Sequence, residues 1–204
     1  NMKSIRDTLK TIRDITSALP AKINIAIIGG VAAILHGVER TTIDVDFCVY
    51  SDFISNSGSA AFFELLKQHL PKRFKAQFFQ GSTIQDKPFK HDVIFIDDQK
   101  EEFERVDFVI AQYKWELEGI REAITIGDIP IPVLSKPYLA AMKLCPSGYK
   151  DAHDVVGLMD LMTEEEKSKT RELAARIGRD KKLSRLLSPL PEDEVRESPE
   201  EYLR

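Results

Sequence analysis

The chain has little cysteine, no long apolar run and none of the common glycine-rich phosphate loops, and each absence removes a class of function. Two cysteines in 204 residues, Cys48 and Cys145, make neither a disulfide framework nor a thiolate metal motif. They read as buried free thiols of a protein kept in a reducing cytoplasm. No stretch approaches the roughly 20 apolar residues of a membrane span, and no secretory leader is visible. The glycines fit neither Gly-x-Gly-x-x-Gly nor a Walker A loop, which sets aside a Rossmann-type dinucleotide binder. A formal charge of −4 argues against a broad surface for duplex DNA while leaving room for a local basic pocket. No internal repeat is present. What remains is ordinary for a globular protein, with 43% hydrophobic and 30% charged residues in a length that fits one domain or two small ones.

The informative stretch runs from Ile25 to Val49. It holds an apolar run, Gly29-Gly30, a second apolar run from Val31 to Leu35, a loop through His36 and Arg40, and a β-branched and aromatic run carrying Asp44 and Asp46. This order predicts a strand, a tight turn, a short buried helix, a basic loop and a second strand. Side chains alternate along a strand, so both carboxylates leave on one face with Cα atoms roughly 6–7 Å apart. Carboxylates that close repel one another unless a cation lies between them. They suit Mg²⁺, which takes carboxylate oxygens and leaves its other positions to water and phosphates. Two glycines at a strand-to-helix turn let a phosphate approach the backbone where helix N–H groups point outward. Each half alone is common: Gly-Gly is usually just a tight turn, and Asp-x-Asp arises by chance among 33 acidic residues.

The joint pattern is less common: a hydrophobic residue, Gly, Gly, a spacer, then Asp-x-Asp. It resembles the nucleotidyltransferase superfamily that includes DNA polymerase beta and the aminoglycoside nucleotidyltransferases. His36-Gly37 and Arg40-Thr41-Thr42 further resemble its abortive-infection, AbiEii-like toxin branch. The resemblance covers residues 23 to about 160 and is specific over 28–46. It implies an α/β (α+β) nucleotidyltransferase fold, a mixed β-sheet flanked by helices with a helical C-terminal part. The expected divisions are a catalytic domain over 1–134, a helical subdomain over 135–188 and an acidic, proline-containing tail over 189–204. The activity implied is transfer of NMP from an NTP to a hydroxyl of a protein, a tRNA or a small molecule. Two Mg²⁺ ions would serve it, with Mn²⁺ as the substitute, and an antitoxin would be the partner if the chain is a toxin. The alternative is a nucleotide-binding or regulatory relative that keeps the fold and transfers nothing.

The fold so implied needs a third carboxylate on a neighbouring strand. Asp92, at the head of the apolar run His91–Ile96, is the choice, both as a metal ligand and as the group that helps deprotonate the acceptor hydroxyl. Its rivals are Asp97, of opposite strand parity, and Asp107, whose neighbours Phe103, Val106 and Ile110 are spaced for a helix. The resemblance names Gly29, Gly30, His36, Arg40, Thr42, Lys143 and Asp154 as nucleotide-binding residues. Read without it, His36 is a structural hydrogen-bonding residue, and Lys143 among Leu139, Met142 and Leu144 must snorkel or find an anion. Asp151 and Asp154 share a helix face, with Asp151 as its cap.

The rest of the chain reads as scaffold. Ile5, Leu9, Ile12 and Leu19 predict an amphipathic helix over 3–19, and 22–28 predicts a strand in the middle of a sheet. A loop is expected over 51–59, a helix over 60–70 with Phe63, Leu66 and Leu70 inward, a strand over 73–80 and a turn over 85–90. Short strands are expected at 115–117, 123–126 and 129–133, the last at a sheet edge because of Pro130 and Pro132, with Trp115 as a packing residue. Ser135 then caps a helix with Pro137 in its first turn, and Thr163 caps another that Gly178 ends. Lys181, Lys182 and Arg185 form a modest basic face beyond it.

Overall fold

Alternating apolar residues build five strands, and the computed structural model describes residues 5–81 and 90–188. The strands are β1 (Asn24–Ile27), β2 (Asp44–Tyr50), β3 (Phe74–Phe79), β4 (Val93–Asp98) and β5 (Arg105–Ile110). They form one mixed sheet in the order β1-β2-β5-β4-β3, parallel between β2 and β5 and antiparallel elsewhere. Val45, Phe47 and Val49 of β2 share a face with Val106, Phe108 and Ile110 of β5 and with Ile94 and Ile96 of β4, all buried. Phe47 and Phe108 meet edge to face with centroids 5.7 Å apart, the arrangement that aromatic quadrupoles favour. The other face of β2 and β5 carries Asp44, Asp46 and Asp107.

The helices of the first half are α1 (Ile5–Ala18), α2 (Gly29–Leu35), α3 (Asp52–Ser57) and α4 (Ser59–His69). Those of the second half are α5 (Lys114–Arg121), α6 (Lys136–Leu144), α7 (Tyr149–Asp160), α8 (Glu164–Arg176) and α9 (Asp180–Leu187). In α1 the predicted stripe is buried through Leu9 and Ile12, while α4 buries Phe62 and Leu66 rather than Phe63. In α6 Tyr138, Leu139, Ala140, Ala141 and Leu144 are all buried, and the helix packs against α2, α7 and α8. Thr163 and Glu166 form the reciprocal cap of α8, and Gly178 takes φ +67° where the chain leaves it. Ser135 stands at the N-cap position of α6 without a capping bond from its side chain.

Four expectations change. The strand at 22–28 is an edge of the sheet, not its middle. Its outer side is covered by a later segment, since the Ile27 N–H donates to Pro132 O (2.8 Å) and the Leu134 N–H to Ile27 O (3.0 Å). Residues 105–110 form a strand, not a helix, because Val106, Phe108 and Ile110 point alternately into the core. The expected loop at 51–59 contains α3, whose Ser51 hydroxyl accepts the Ile54 N–H at 3.1 Å. The expected strand at 115–117 lies inside α5, where the buried Glu116 carboxylate accepts the N–H groups of Gln112 and Tyr113 (2.9 and 3.1 Å). Of the other two short strands only the pairing of Ile124 with Val133 remains. Residues 85–89 of the expected turn and the whole 189–204 tail lie outside the described residues.

Candidate active site

Pairing between β1 and β2 sets the glycine turn on top of the acidic strand. Ile27 lies opposite Phe47, and the Ile28 N–H donates to Asp46 O at 2.9 Å. Gly29 therefore falls over the Asp46 side chain. Its φ of +66° is left-handed, and a Cβ there would sit 2.6 Å from Asp46 Cγ, so both backbone and space demand glycine. A Cβ on Gly30 would meet Thr42 Oγ1 at 2.7 Å and Arg40 Cζ at 3.0 Å. The Gly30 N–H serves the Asp46 carboxylate. The pair thus lets Asp46, Thr42 and Arg40 pack directly against the turn.

Parallel register between β2 and β5 puts Asp107 directly beside Asp46, with Asp44 on the same face two residues back. One oxygen from each of the three carboxylates lies within 4.8 Å of the others. The acid that the fold brings beside the pair is Asp107, and Asp92 lies outside the group. Asp92 precedes β4 at the parity of Ile94, which lies across from Phe108 on the core side, and its Oδ1 accepts the Gly81 N–H at 2.8 Å. Asp97 shares the face of Asp107 but is half exposed and stands 3.9 Å from Arg105 Nε, outside the three.

The carboxylates are short of positive charge. Burial, then the charges of Asp44 and Asp107, push the Asp46 carboxyl up to about 6, against the pull of Lys143 and the Gly30 N–H. Burial also raises Asp107, opposed by Arg105, whose Nε donates to Asp107 Oδ1 at 3.2 Å. The Thr42 hydroxyl donates to Asp44 Oδ1 at 2.8 Å and steadies its orientation. Three converging hard oxygens, two of them on carboxyls that burial and neighbouring acids raise, are a donor set suited to Mg²⁺ or Mn²⁺.

Beside the glycine turn stands a group of two cations and two acids. Asp154 is buried, and its Oδ2 accepts from Arg40 Nη1 and lies 2.8 Å from Lys143 Nζ. Lys143 Nζ also donates to Asp151 Oδ1 at 3.0 Å, so Asp151 serves this lysine rather than capping α7, whose N-cap is Gly148. Asp154 Oδ1 is, among the described residues, the one buried side-chain oxygen with no hydrogen bond, and His153 Nδ1 stands 3.9 Å from it. His36 turns elsewhere: its Nε2 is 2.7 Å from Leu134 O, and burial lowers its pKa. It ties the loop after α2 to the segment that covers β1.

A cleft of about 1120 Å³, lined by Ile28 of the glycine turn and by Asp151, runs between the sheet and the last helices. Ile28, Val109, Trp115 and Met142 line its apolar part, and Trp115 is otherwise core, as expected. Arg179, Lys181, Lys182 and Arg185 make a cationic wall, which the sequence shows only as a basic face on a helix. His91 and Glu116, 2.6 Å apart, stand at another side. No signal in the sequence joins these two residues. Asp107 was legible, because Val106, Phe108 and Ile110 alternate around it.

No protein-family model matches the sequence, and no curated protein matches it significantly. Among solved structures the chain is similar to the antibiotic-resistance factor ANT(2'')-Ia in solution, at 15% identity and a TM-score of 0.46 over 84% of this chain and 94% of that one. It is similar to ANT(2'')-Ia in complex with adenylyl-2''-tobramycin, at 15% identity and a TM-score of 0.46 over 83% of this chain and 98% of that one. It is also similar to a cytoplasmic RNA terminal U-transferase, at 14% identity and a TM-score of 0.36 over 68% of this chain and 38% of that one. These are likenesses of layout, and the chemistry rests on the side chains.

Proposed function

We propose that the protein is a divalent-metal-dependent nucleotidyltransferase that moves NMP from an NTP to an acceptor hydroxyl and releases pyrophosphate. The observation that carries this reading is the convergence of Asp44, Asp46 and Asp107 within 4.8 Å at the foot of the Gly29-Gly30 turn. Those three side chains would hold Mg²⁺ or Mn²⁺, which when bound polarises the α-phosphate and makes a nearby hydroxyl more acidic. The chain's own residues supply the rest. Gly29 leaves room beside Asp46, Arg40 and Lys143 offer positive charge for the phosphates, and Thr42 fixes Asp44. Asp46, raised to about 6 by burial and by its acidic neighbours, would give up its proton on binding the cation, so metal binding should strengthen as pH rises. The cleft takes the substrates, and its cationic wall favours those that carry phosphate.

The test is incubation with each labelled NTP, Mg²⁺ and a cell extract, comparing wild type with Asp46→Asn, Asp107→Asn and Asp92→Asn. Label should enter an acceptor with wild type and Asp92→Asn, and fall at least about 100-fold with Asp46→Asn and Asp107→Asn. Equal labelling by Asp46→Asn would end the assignment. The labelled species separates protein, tRNA and small-molecule acceptors. Growth arrest on expression that Asp46→Asn relieves would make the chain a toxin.

A further inference from the structure

Lys143 is held by two carboxylates that differ in every other respect. Asp154 is 1% exposed at its side chain and also carries Arg40, so the two cations that flank the glycine turn meet on one buried oxygen. Asp151 is 24% exposed, is ion-paired to Lys143, feels the charge of Lys182 and lines the cleft. Two acids balance two cations, so the group as it stands has no positive charge left for a phosphate. Lys143 and Arg40 are themselves 9% and 13% exposed, which limits how far either can swing to meet one. An anion arriving from the cleft meets the exposed carboxylate first.

We infer that Asp154 is a positioning residue that fixes Arg40 and Lys143 beside the glycine turn, and that Asp151 is a place-holder which the triphosphate of the substrate displaces from Lys143. This rests on the nucleotidyltransferase reading and adds a division of labour within the site. Asp154 acts through the two cations and never touches the nucleotide, because it is closed off from the cleft. Its Oδ1, which accepts no hydrogen bond and has His153 Nδ1 3.9 Å away, fits such a role: the carboxylate is aimed to place both cations on Oδ2. Asp151 occupies the position of a phosphate oxygen at 3.0 Å from Nζ and, on the solvent side, leaves at little cost.

Substituting the two acids should therefore have opposite effects on phosphate binding. The probe is inorganic tripolyphosphate with Mg²⁺, titrated calorimetrically into the full chain, alongside KM and kcat for the NTP that the wild type uses. Asp154→Asn should weaken tripolyphosphate and raise KM about tenfold, the size of one lost charge-assisted contact, with a smaller change in kcat. Asp151→Asn should tighten tripolyphosphate and lower KM by several-fold. KM does not depend on the fraction of folded enzyme, so a purely structural role for Asp154 would lower yield and leave KM alone. If Asp154→Asn does not fold, Asp154→Glu keeps the buried charge and shifts both cations by one methylene, and the same weakening is expected. An unchanged Kd in the Asp154 variant, or equal weakening by Asp151→Asn, overturns the inference. Wild type that binds no tripolyphosphate and transfers no label overturns the nucleotidyltransferase reading instead.

Discussion

At the scale of single residues, the site holds charge that the fold would be more stable without. The Asp46 carboxyl is raised to about 6 in the folded chain from an ordinary value of 3.8. A raised acid contributes most below its unfolded pKa, and that contribution is lost as pH rises through the folded value. Metal-free protein should therefore lose stability between about pH 4 and pH 7 from this group. Asp46→Asn should raise the stability of the metal-free protein at pH 8 by about 1–3 kcal/mol while removing transfer. Thermal unfolding in a chelator at pH 5 and pH 8 reads this directly, and no gain at pH 8 would contradict it. Gly29→Ala faces a different obstacle. At φ +66° an alanine costs about 1–2 kcal/mol, and its Cβ pushes Asp46 out of register with Asp107. Activity should fall by roughly 100-fold, measured as kcat in the labelling assay, with the protein still folded. Gly29, Asp44 and Asp46 were legible because their spacing along the chain is their spacing in space. Asp154 was legible as a residue of interest but not as a buried one, since burial depends on α6 and α7 packing around it.

Between elements, sequence signals competed, and long-range pairing decided. Phe103, Val106 and Ile110 suit a helix, while Val106, Phe108 and Ile110 suit a strand, and the strand prevails because β2 and β4 flank it on both sides. Asp107 then moves from a solvated helix face to the sheet face that carries Asp44 and Asp46, and Asp92 lies apart from them. Trp115 to Leu117 reads as a strand on its own and folds as a helix, which Glu116 caps from within. One further element junction depends on a carboxylate. Asp98 ends β4 with its side chain fully buried, accepting from Arg73 Nε and Nη2 (2.9 and 2.6 Å) and from the N–H groups of Glu102 and Phe103 (2.8 and 3.1 Å). Arg73, first of all, holds this carboxyl well below the usual range. Its stabilisation is present above the ordinary carboxylate pKa and is lost as pH falls through the folded value. Asp98→Ala should cost about 2–4 kcal/mol at pH 7 and much less near pH 2, by denaturant unfolding. A cost independent of pH would show that the ion pair contributes nothing.

For the whole molecule, the expected boundary after residue 134 divides elements that share a core. No helix among the described residues is long and apolar enough to cross a membrane, and the apolar faces close on one another instead. The edge of β1 is covered by Pro132 to Leu134, α6 packs on α2, and Lys143 and Asp154 reach back to Arg40. A fragment of residues 1–134 should therefore fail to fold as a monomer, with chromatography showing aggregate and circular dichroism a loss of cooperative melting. A monomeric, cooperatively melting fragment would instead support two independent domains. Composition and periodicity reveal the mixed α/β character of the chain, because each strand and most helices carry their own pattern. They do not reveal the covered edge or the cationic cleft wall, which exist only where distant segments meet.

The parallel pairing of β2 with β5 has one more consequence. Asp46 is synthesised well before Asp107, with β3 and β4 in between, and the two become neighbours only when β5 inserts beside β2. A nascent chain emerging from the ribosome has Asp44 and Asp46 in place and lacks the third carboxylate beside them. Non-local strand pairing is a slow step of folding, so the three carboxylates stay apart until the polypeptide has committed to its final shape.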